Sequence, residues 1–204
     1  QIVLMSHFYS FKGNAIQLKN FKDLEKRCSS DEIFVKKSLC NSGGMINYPA
    51  SQKDIVRPGI SMFGSRSNLK DKNIKLESVM TLKSKFISLK EIEKGEKVGY
   101  EGTWQAKKRT KIGILPVGYG DGYPINLSNC GKVLIKGKLA PVSGKVSMDM
   151  VAIDLSNISK ISYKDEVILW GKGHEVDTVA KYANNSSYTL MTGITNRVKK
   201  VYKL

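Results

Sequence analysis

The first part of the chain combines apolar runs with one amphipathic segment. Residues 2–9 (IVLMSHFY) form an apolar run, which predicts a buried parallel strand that ends at His7. In residues 13–28, apolar side chains recur at helical spacing, which predicts a helix with Asn14 as its N-cap. A strand followed by a helix is the beginning of an α/β pattern.

Two further apolar runs follow the predicted helix. Residues 32–44 (EIFVKKSLCNSGG) predict a second strand that runs into a polar, glycine-bearing loop. Residues 54–64 (DIVRPGISMFG) predict a third strand, which is broken at Arg57 and the Pro-Gly pair after it. Three strands alone make an incomplete sheet, so this succession indicates the last part of an α/β domain with parallel strands.

The pattern changes after a polar linker at residues 67–75, which separates a first domain, residues 1–66, from a second domain, residues 76–204. The second domain has strand-sized runs between glycine-containing turns: VMTLKSKFISL, KIGILPVGYG, KVLIKGKLAPVSG, MVAIDL and DEVILWG. These runs predict a compact, mostly antiparallel β domain. Near its end we predict a short helix capped by Asp177, then another helical turn or two, and a terminal strand in RVKKVYKL.

The composition, with 41% apolar and 25% charged residues among 204, is typical of a soluble globular protein. No apolar run approaches the roughly 20 residues that span a bilayer. The cysteines, at positions 28, 40 and 130, are odd in number and lack CxxC spacing, which argues against a disulfide framework and a metal site. A reducing cytoplasm is therefore the simplest compartment.

Gln1 leads directly into an apolar run without a targeting segment, as expected of a cut into the middle of a domain. The formal charge of +16 raises the question of nucleic-acid binding. However, the lysines are spread through nearly every segment and mostly take solvent-facing positions, and no nucleic-acid reader motif is present. We therefore expect neither a nucleic acid nor a membrane as partner.

Three chemically capable side chains lie at the predicted strand ends. His7 ends the first strand, Ser42 follows the second, and Arg57 lies on the third. Active sites of parallel α/β domains collect at the carboxyl ends of strands, so these side chains form one candidate site. Each also has a plain structural interpretation: a hydrogen-bonded core histidine, an ordinary loop serine, and a buried arginine with its acceptor.

Glycine-rich bends mark three places in the second domain. Tyr100 lies between glycines in KVGYEGTW, Tyr119 lies among glycines in PVGYGDGYP, and Met148 follows a glycine turn in PVSGKVSMDM. Flanking glycines let a backbone turn and expose an aromatic ring. Such bends are more often structural than catalytic, and composition and spacing do not decide between the two.

The motifs themselves, taken in order, resemble alanine racemase along essentially the whole chain: MSHF, NSGG, IVRPGISMFG, KVGYEGTW, VGYGDGYP, SMDMVAIDL and SSYTLMTGITNRVKKVY. The resemblance implies α/β plus β architecture, the last part of a (β/α)8 barrel followed by a mostly antiparallel β domain. It also implies a homodimer with shared active sites that uses pyridoxal 5'-phosphate. Such an enzyme interconverts L-alanine and D-alanine and supplies D-alanine for peptidoglycan.

The resemblance assigns a role to each candidate. Tyr100 matches the tyrosine that serves as base on one face of the substrate, while a lysine serves the other face. A free phenol keeps its proton near neutral pH, so this base needs cationic or donor groups nearby. Arg57 matches the residue that contacts the pyridine nitrogen, and His7 matches the residue between that arginine and the tyrosine.

The remaining matched positions bind the cofactor or the substrate. Those that hold or orient the cofactor, chiefly at its phosphate, are Asn41, Ser42, Gly59, Ile60 and Tyr188. Met148 matches the backbone N–H that meets the substrate carboxylate, and Tyr119 matches a ring at the substrate entrance. In the family, Tyr100, Tyr119 and Met148 reach the partner's active site.

The resemblance has two gaps, and two other functions stay open. Lys145 stands where the family often has arginine, and the lysine that binds the cofactor is expected upstream of this chain, so we expect the chain alone to be inactive. One alternative is a basic β domain that binds or dimerises without catalysis. The other is a barrel-plus-β-domain amino-acid decarboxylase, which would not need the GYGDGYP and SMDM segments.

Overall fold

The computed structural model describes residues 2–10, 14–28, 34–71 and 73–203 and divides the chain into two compact units, Gln1–Glu77 and Ser78–Leu204. Gly13, residues 32–33, Lys72 and Leu204, which belong to predicted elements or the predicted linker, lie outside the described residues. The first unit contains β1 (Ile2–Met5), α1 (Ala15–Cys28), β2 (Val35–Asn41), α2 (Ser42–Asn47) and β3 (Ile55–Arg57), with short 3₁₀ turns at Pro49–Ser51 and Ile60–Phe63.

The first unit is a parallel three-stranded sheet in the order β1-β2-β3. Its core is a cluster of Phe8, Phe21, Leu39 and Cys40, in which Phe21 comes from α1. Asn41 at the end of β2 is paired with Arg57 at the end of β3. The parallel arrangement therefore places the carboxyl ends of the strands at one edge, as predicted.

Three local predictions in this unit were wrong. The first strand ends at Met5, so His7 lies two residues beyond it. The Asn14 side chain does not cap α1, because it is buried without a hydrogen-bond partner among the described residues. The predicted glycine-bearing loop is the helix α2, since the Asn41 Oδ1 atom accepts a hydrogen bond from the Gly44 N–H at 2.9 Å and so caps the helix.

The second unit contains nine strands and two α-helices among its described residues. The strands are β4 (Leu82–Lys85), β5 (Ser88–Ile92), β6 (Lys97–Val98), β7 (Trp104–Gln105), β8 (Thr110–Leu115), β9 (Lys132–Ile135), β10 (Lys138–Pro141), β11 (Val151–Asp154) and β12 (Glu166–Trp170). The helices are α3 (Val176–Tyr182) and α4 (Ser187–Thr192), and further 3₁₀ turns lie at Tyr100–Gly102, Tyr119–Asp121 and Ile125–Leu127.

All strand pairs of the second unit are antiparallel, as predicted. They form sheets in the orders β10-β9-β12-β4, β11-β8-β5 and β6-β7. The main core draws apolar side chains from both larger sheets, for example Ile135 from β9 and Leu115 from β8. In β9 the buried positions are Val133 and Ile135, as expected of a strand with one face against the core. The strand-sized apolar runs that predicted these strands supply such side chains.

The end of the second unit differs from the prediction at two points. Helix α3 begins at Val176 with Glu175 as its N-cap residue, and Asp177 lies inside the first turn, where its carboxylate accepts a hydrogen bond from the Ser187 hydroxyl. Residues 197–203 form no strand. The Val198 N–H is instead used within a turn, bonded to the Thr195 carbonyl at 3.2 Å.

His174 is expected to make the stability of this unit depend on pH. Its ring is buried, its Nε2 atom lies 2.8 Å from the Lys132 carbonyl, and burial lowers the pKa of the imidazole. The unfolded chain therefore binds a proton near the ordinary pKa of 6.5, whereas the folded chain resists it. We expect the contribution of His174 to the free energy of unfolding to be constant above this pH and to fall as the pH drops below it.

Urea unfolding at about pH 7.5 and about pH 5.5 measures this effect. The control is His174→Gln, which can still donate to the Lys132 carbonyl but does not titrate, so its stability should be flat across that window. The carboxyl pKa values of Asp165 and Glu166 are lowered by hydrogen bonds from Lys136 and Lys83, so these groups affect the free energy of unfolding only at lower pH. An equal slope in the glutamine variant would contradict the prediction.

Candidate active site

The structure brings together three polar side chains at the carboxyl edge of the parallel sheet. His7 follows β1, Asn41 ends β2 and Arg57 ends β3. The His7 Nε2 atom lies 3.0 Å from Asn41 Nδ2, and the His7 Nδ1 atom lies 3.4 Å from Arg57 Nη2. The imidazole therefore lies between an amide and a guanidinium, and the prediction that these strand ends share one site agrees with this geometry.

Arg57 is held by two further acceptors. Its Nη2 atom donates to the Ser6 carbonyl at 2.7 Å, and its Nη1 atom donates to the Ser38 hydroxyl. The sequence predicted an acceptor for this arginine but did not identify these groups. The only signal in the sequence was a serine inside a predicted strand, and the structure buries Ser38 there. These bonds fix the guanidinium against the sheet.

His7 faces two hydrogen-bond donors. The amide of Asn41 has a fixed orientation, since its Oδ1 atom accepts from the Gly44 N–H, and its Nδ2 atom therefore points to the imidazole. A neutral imidazole has one acceptor nitrogen, so His7 can accept from Asn41 or from Arg57 but not from both. The shorter contact is with Asn41. The cluster therefore holds more hydrogen-bond donors than His7 alone can accept.

Ser42 organises the backbone next to this cluster. Its buried hydroxyl oxygen accepts hydrogen bonds from the Gly59 N–H at 2.8 Å and from the Ser61 N–H at 3.4 Å. The space beside Gly59 is open, because a Cβ atom added there would meet nothing within 4 Å. Ile60, between the two donors, is buried. The Ser42 oxygen therefore holds the turn from Gly59 to Ser61, which borders open space at Gly59.

Tyr100 is presented on the surface of the second unit. Its side chain is 70% exposed, and it borders a groove of about 430 Å³ that Lys97, Lys145 and Met150 also line. The next residue, Glu101, has a left-handed backbone with φ of 60°. The Glu101 carboxylate forms an ion pair with Lys145 at 2.6 Å, so the lysine that the resemblance marked as a departure has a charged partner.

Tyr119 and Met148 lie on two loops that touch each other. The Tyr119 N–H donates to the Ser147 carbonyl at 3.0 Å, and the Gly120 N–H donates to the Met148 carbonyl at 2.9 Å. Both side chains are about half exposed. The sequence identified both loops separately but did not predict that their backbones pair.

Tyr188 lies in the first turn of α4 and is also about half exposed. Its carbonyl accepts a hydrogen bond from the Thr192 hydroxyl at 2.8 Å. The phenol ring is therefore carried by a short helix rather than by a loop.

Metal-binding clusters and membrane-spanning helices are both absent from the described residues, 2–10, 14–28, 34–71 and 73–203. These residues include no group of three or more His, Cys, Asp or Glu side chains that could hold a metal ion. In the same ranges, no helix has the length and apolar character needed to cross a membrane. All three cysteines are unbridged thiols.

The fold and the cluster define a class of protein: a parallel α/β unit with arginine, histidine and asparagine at its strand ends, followed by an antiparallel β domain. The family model for the alanine racemase N-terminal domain matches residues 1–67, and the model for the alanine racemase C-terminal domain matches residues 79–202. The chain belongs to the alanine racemase family.

Individual relatives agree with this assignment. The alanine racemase of Vibrio parahaemolyticus is 40% identical over 189 residues, which cover 91% of this chain and 51% of that protein. The crystal structure of the biosynthetic alanine racemase of Pseudomonas aeruginosa has a TM-score of 0.88 at 36% identity, covering 99% of this chain and 57% of that one. That of Bartonella henselae, with covalently bound pyridoxal phosphate, has a TM-score of 0.90 at 26% identity, covering 98% and 56%.

The comparisons confirm the fold class that the motifs implied. The first unit is the last part of the racemase barrel, and the second unit is the C-terminal β domain. The chain spans about half the length of the curated relatives it matches.

Proposed function

We propose that the protein to which this chain belongs interconverts L-alanine and D-alanine, with pyridoxal 5'-phosphate as its cofactor. The observation that carries the proposal is the similarity to proteins named alanine racemase, at 40% identity over most of the chain. The geometry of His7, Asn41 and Arg57 supports it. In this role the enzyme works in the cytoplasm and supplies D-alanine for peptidoglycan.

The residues present fit the cofactor. Its phosphate needs donors beside open space: the Ser42 oxygen accepts from the Gly59 and Ser61 N–H groups, so its own O–H can donate, and the space beside Gly59 is open. We assign Gly59, Ile60 and Tyr188 to the same phosphate, and Asn41 to the orientation of the ring. Arg57 would meet the pyridine nitrogen with a donor-only guanidinium, which does not readily give up a proton to that nitrogen.

Tyr100 is proposed to carry the proton on one face of the substrate. Inversion at a carbon requires a proton acceptor on one face and a proton donor on the other, since a single base tends to return the proton to the same face. When bound, the cofactor supplies the electron sink that makes removal of the α-proton accessible. The Tyr100 Oη atom would exchange that proton, and none of this chain's lysines is assigned to the opposite face.

The substrate-facing residues of the second unit are proposed to serve a partner subunit. Tyr100, Tyr119 and Met148 are each about half exposed or more, as required of side chains that reach another protomer. Met148 would bind the substrate carboxylate through its backbone N–H, and Tyr119 would line the entrance. We therefore propose a homodimer, with residues 1–66 in the barrel, 67–75 as linker and 76–204 as the β domain.

The test uses this chain extended at its N-terminus, to the length of its relatives, with the corresponding part of the Vibrio parahaemolyticus enzyme. We expect cofactor-dependent conversion of L-alanine into D-alanine by chiral chromatography. An extended chain that is folded and dimeric but leaves L-alanine unchanged would contradict the proposal.

Ser42→Ala tests the proposed phosphate site in the same extended chain. The variant removes a hydroxyl that would donate to a charged phosphate and that also holds the Gly59 and Ser61 N–H groups. We expect the Kd for pyridoxal 5'-phosphate, measured by absorbance titration, to rise about tenfold to a hundredfold. Ser156→Ala, at an exposed serine that bonds Asp154, is the control and should leave the Kd unchanged. Equal Kd values in both variants would contradict the assignment.

A further inference from the structure

Two loops of the second unit meet backbone to backbone. We name residues 118–122 the tyrosine loop and residues 147–150 the methionine loop, after Tyr119 and Met148. Besides the two backbone hydrogen bonds between them, a Cβ atom on Gly118 would overlap the Ser147 carbonyl oxygen and lie 2.5 Å from the Met148 carbonyl carbon. The loops are therefore so close that only a glycine fits at position 118.

Each loop contributes one carboxylate to the ion pairs of Arg197. Asp121 of the tyrosine loop is buried, and its Oδ2 atom accepts a hydrogen bond from the Gly118 N–H at 2.9 Å. Asp149 belongs to the methionine loop and is half exposed. Two carboxylates held close together repel each other unless a cation lies between them. Arg197 is that cation.

One edge of the Arg197 guanidinium serves both loops. Its Nε atom lies 3.2 Å from Asp121 Oδ1, and its Nη2 atom donates to Asp149 Oδ1. The planar guanidinium presents these donors in a fixed geometry, which a lysine ammonium cannot reproduce. A single side chain, 48 residues away from Asp149 in sequence, therefore bridges the two loops.

The segment before Arg197 strengthens this bridge. The Thr195 hydroxyl donates to the Gly120 carbonyl at 2.9 Å, and the Thr195 N–H donates to the Asp121 carbonyl at 3.2 Å. A Cβ atom on Gly120 would overlap the Arg197 Nη1 atom, so the guanidinium packs directly on the loop backbone. These contacts distinguish Arg197 from an ordinary surface arginine.

We propose that Arg197 is a positioning residue that clamps the tyrosine loop to the methionine loop and so fixes the two groups that face the substrate. The inference rests on the proposed function, because Tyr119 and Met148 matter to catalysis only if the protein acts on alanine. The clamp holds the Met148 N–H and the Tyr119 ring at one separation. Without it, the substrate carboxylate would meet a mobile binding site.

Amide hydrogen exchange of the full chain tests the clamp without reference to activity. In Arg197→Ala we expect the Tyr119 and Gly120 N–H groups to exchange about tenfold faster, while the β8–β11 ladder keeps its protection. Arg109→Ala is the matched control, since Arg109 also bridges two carboxylates, Glu91 and Glu93, at an exposed site. It should leave exchange in both loops unchanged.

Kinetics of the extended chain test the consequence for the substrate. We expect Arg197→Ala to raise KM for alanine about tenfold with kcat changed less than about twofold, because loss of uniform substrate binding appears in KM. Arg197→Lys should recover part of the loss by neutralising one carboxylate. Arg109→Ala should match the unsubstituted protein in both constants.

The outcomes separate the two proposals. Unchanged exchange at Tyr119 and Gly120 in Arg197→Ala would overturn the clamp, as would an increase spread evenly over the β domain. Faster loop exchange with an unchanged KM would overturn its role in substrate binding. If the unsubstituted extended chain does not racemise alanine, the proposed function fails, whereas the exchange result still decides whether Arg197 clamps the loops.

Discussion

Tyr100→Phe is expected to lower racemisation of alanine in both directions by about 10²-fold to 10⁴-fold, which is the usual contribution of a positioned general acid or base. The variant removes only the hydroxyl and keeps an exposed ring, so it should not disturb the core. L-Alanine and D-alanine have equal free energies, so kcat/KM must fall by the same factor in the two directions. Rates measured from each enantiomer in the extended chain check this.

Exchange of the α-hydrogen with deuterated water separates a lost base from a damaged site. If Tyr100 serves one face, Tyr100→Phe should lose exchange for one enantiomer and keep it for the other, which the second base still serves. A general loss of structure would reduce both equally. Tyr163→Phe is the control, because Tyr163 is an exposed tyrosine whose hydroxyl accepts from the Leu89 N–H. Unchanged rates in Tyr100→Phe would refute the assignment.

Gly118→Ala is expected to destabilise the second unit by about 3 kcal/mol, at the upper end for an overpacked site. Gly118 has an extended backbone with φ of −153°, so an alanine there carries no backbone strain. The whole effect comes from the added Cβ atom, which overlaps the Ser147 carbonyl oxygen. A backbone carbonyl cannot rotate away as a flexible side chain can, so the two loops must separate.

Gly137→Ala isolates the cost of backbone strain without steric overlap. Gly137 has a φ of +76°, and a Cβ atom there meets nothing within 4 Å, so its cost is backbone strain alone, about 1–2 kcal/mol. Urea unfolding followed by tryptophan fluorescence compares the variants, because both tryptophans, Trp104 and Trp170, lie in the second unit. We expect Gly118→Ala to lose more stability than Gly137→Ala. An equal or smaller loss would contradict the close approach of the two loops.

The elements that the sequence predicted well are those with a repeated local pattern. Helix α1 has apolar side chains at helical spacing, and the strands from β8 to β12 lie in strand-sized apolar runs between glycine turns. Each lies within its predicted run, except that β8 begins one residue earlier, at Thr110. Terminal residues were less well predicted. RVKKVYKL was predicted as a terminal strand, but its backbone at Val198 is used in a turn and Arg197 bonds to two aspartates. A pattern cannot reveal that a segment has no strand to pair with.

The candidate site was predicted in part. His7 and Arg57 were expected to lie together because both follow strands of one parallel sheet, and they do. The role of Asn41 as both helix cap and histidine partner was not predicted, since it depends on the distance between neighbouring strand ends. For the same reason the sequence did not name the acceptors of Arg57, which come from two other segments.

The sequence by itself determined the two-part architecture and the family, because apolar periodicity and motif order are properties of neighbouring residues. Only the tertiary structure decided which distant polar groups meet: His7 with Asn41, and Arg197 with the aspartates of two loops. Such contacts depend on side-chain direction and on ångström-scale distances between segments. Residue spacing along the chain does not contain that information.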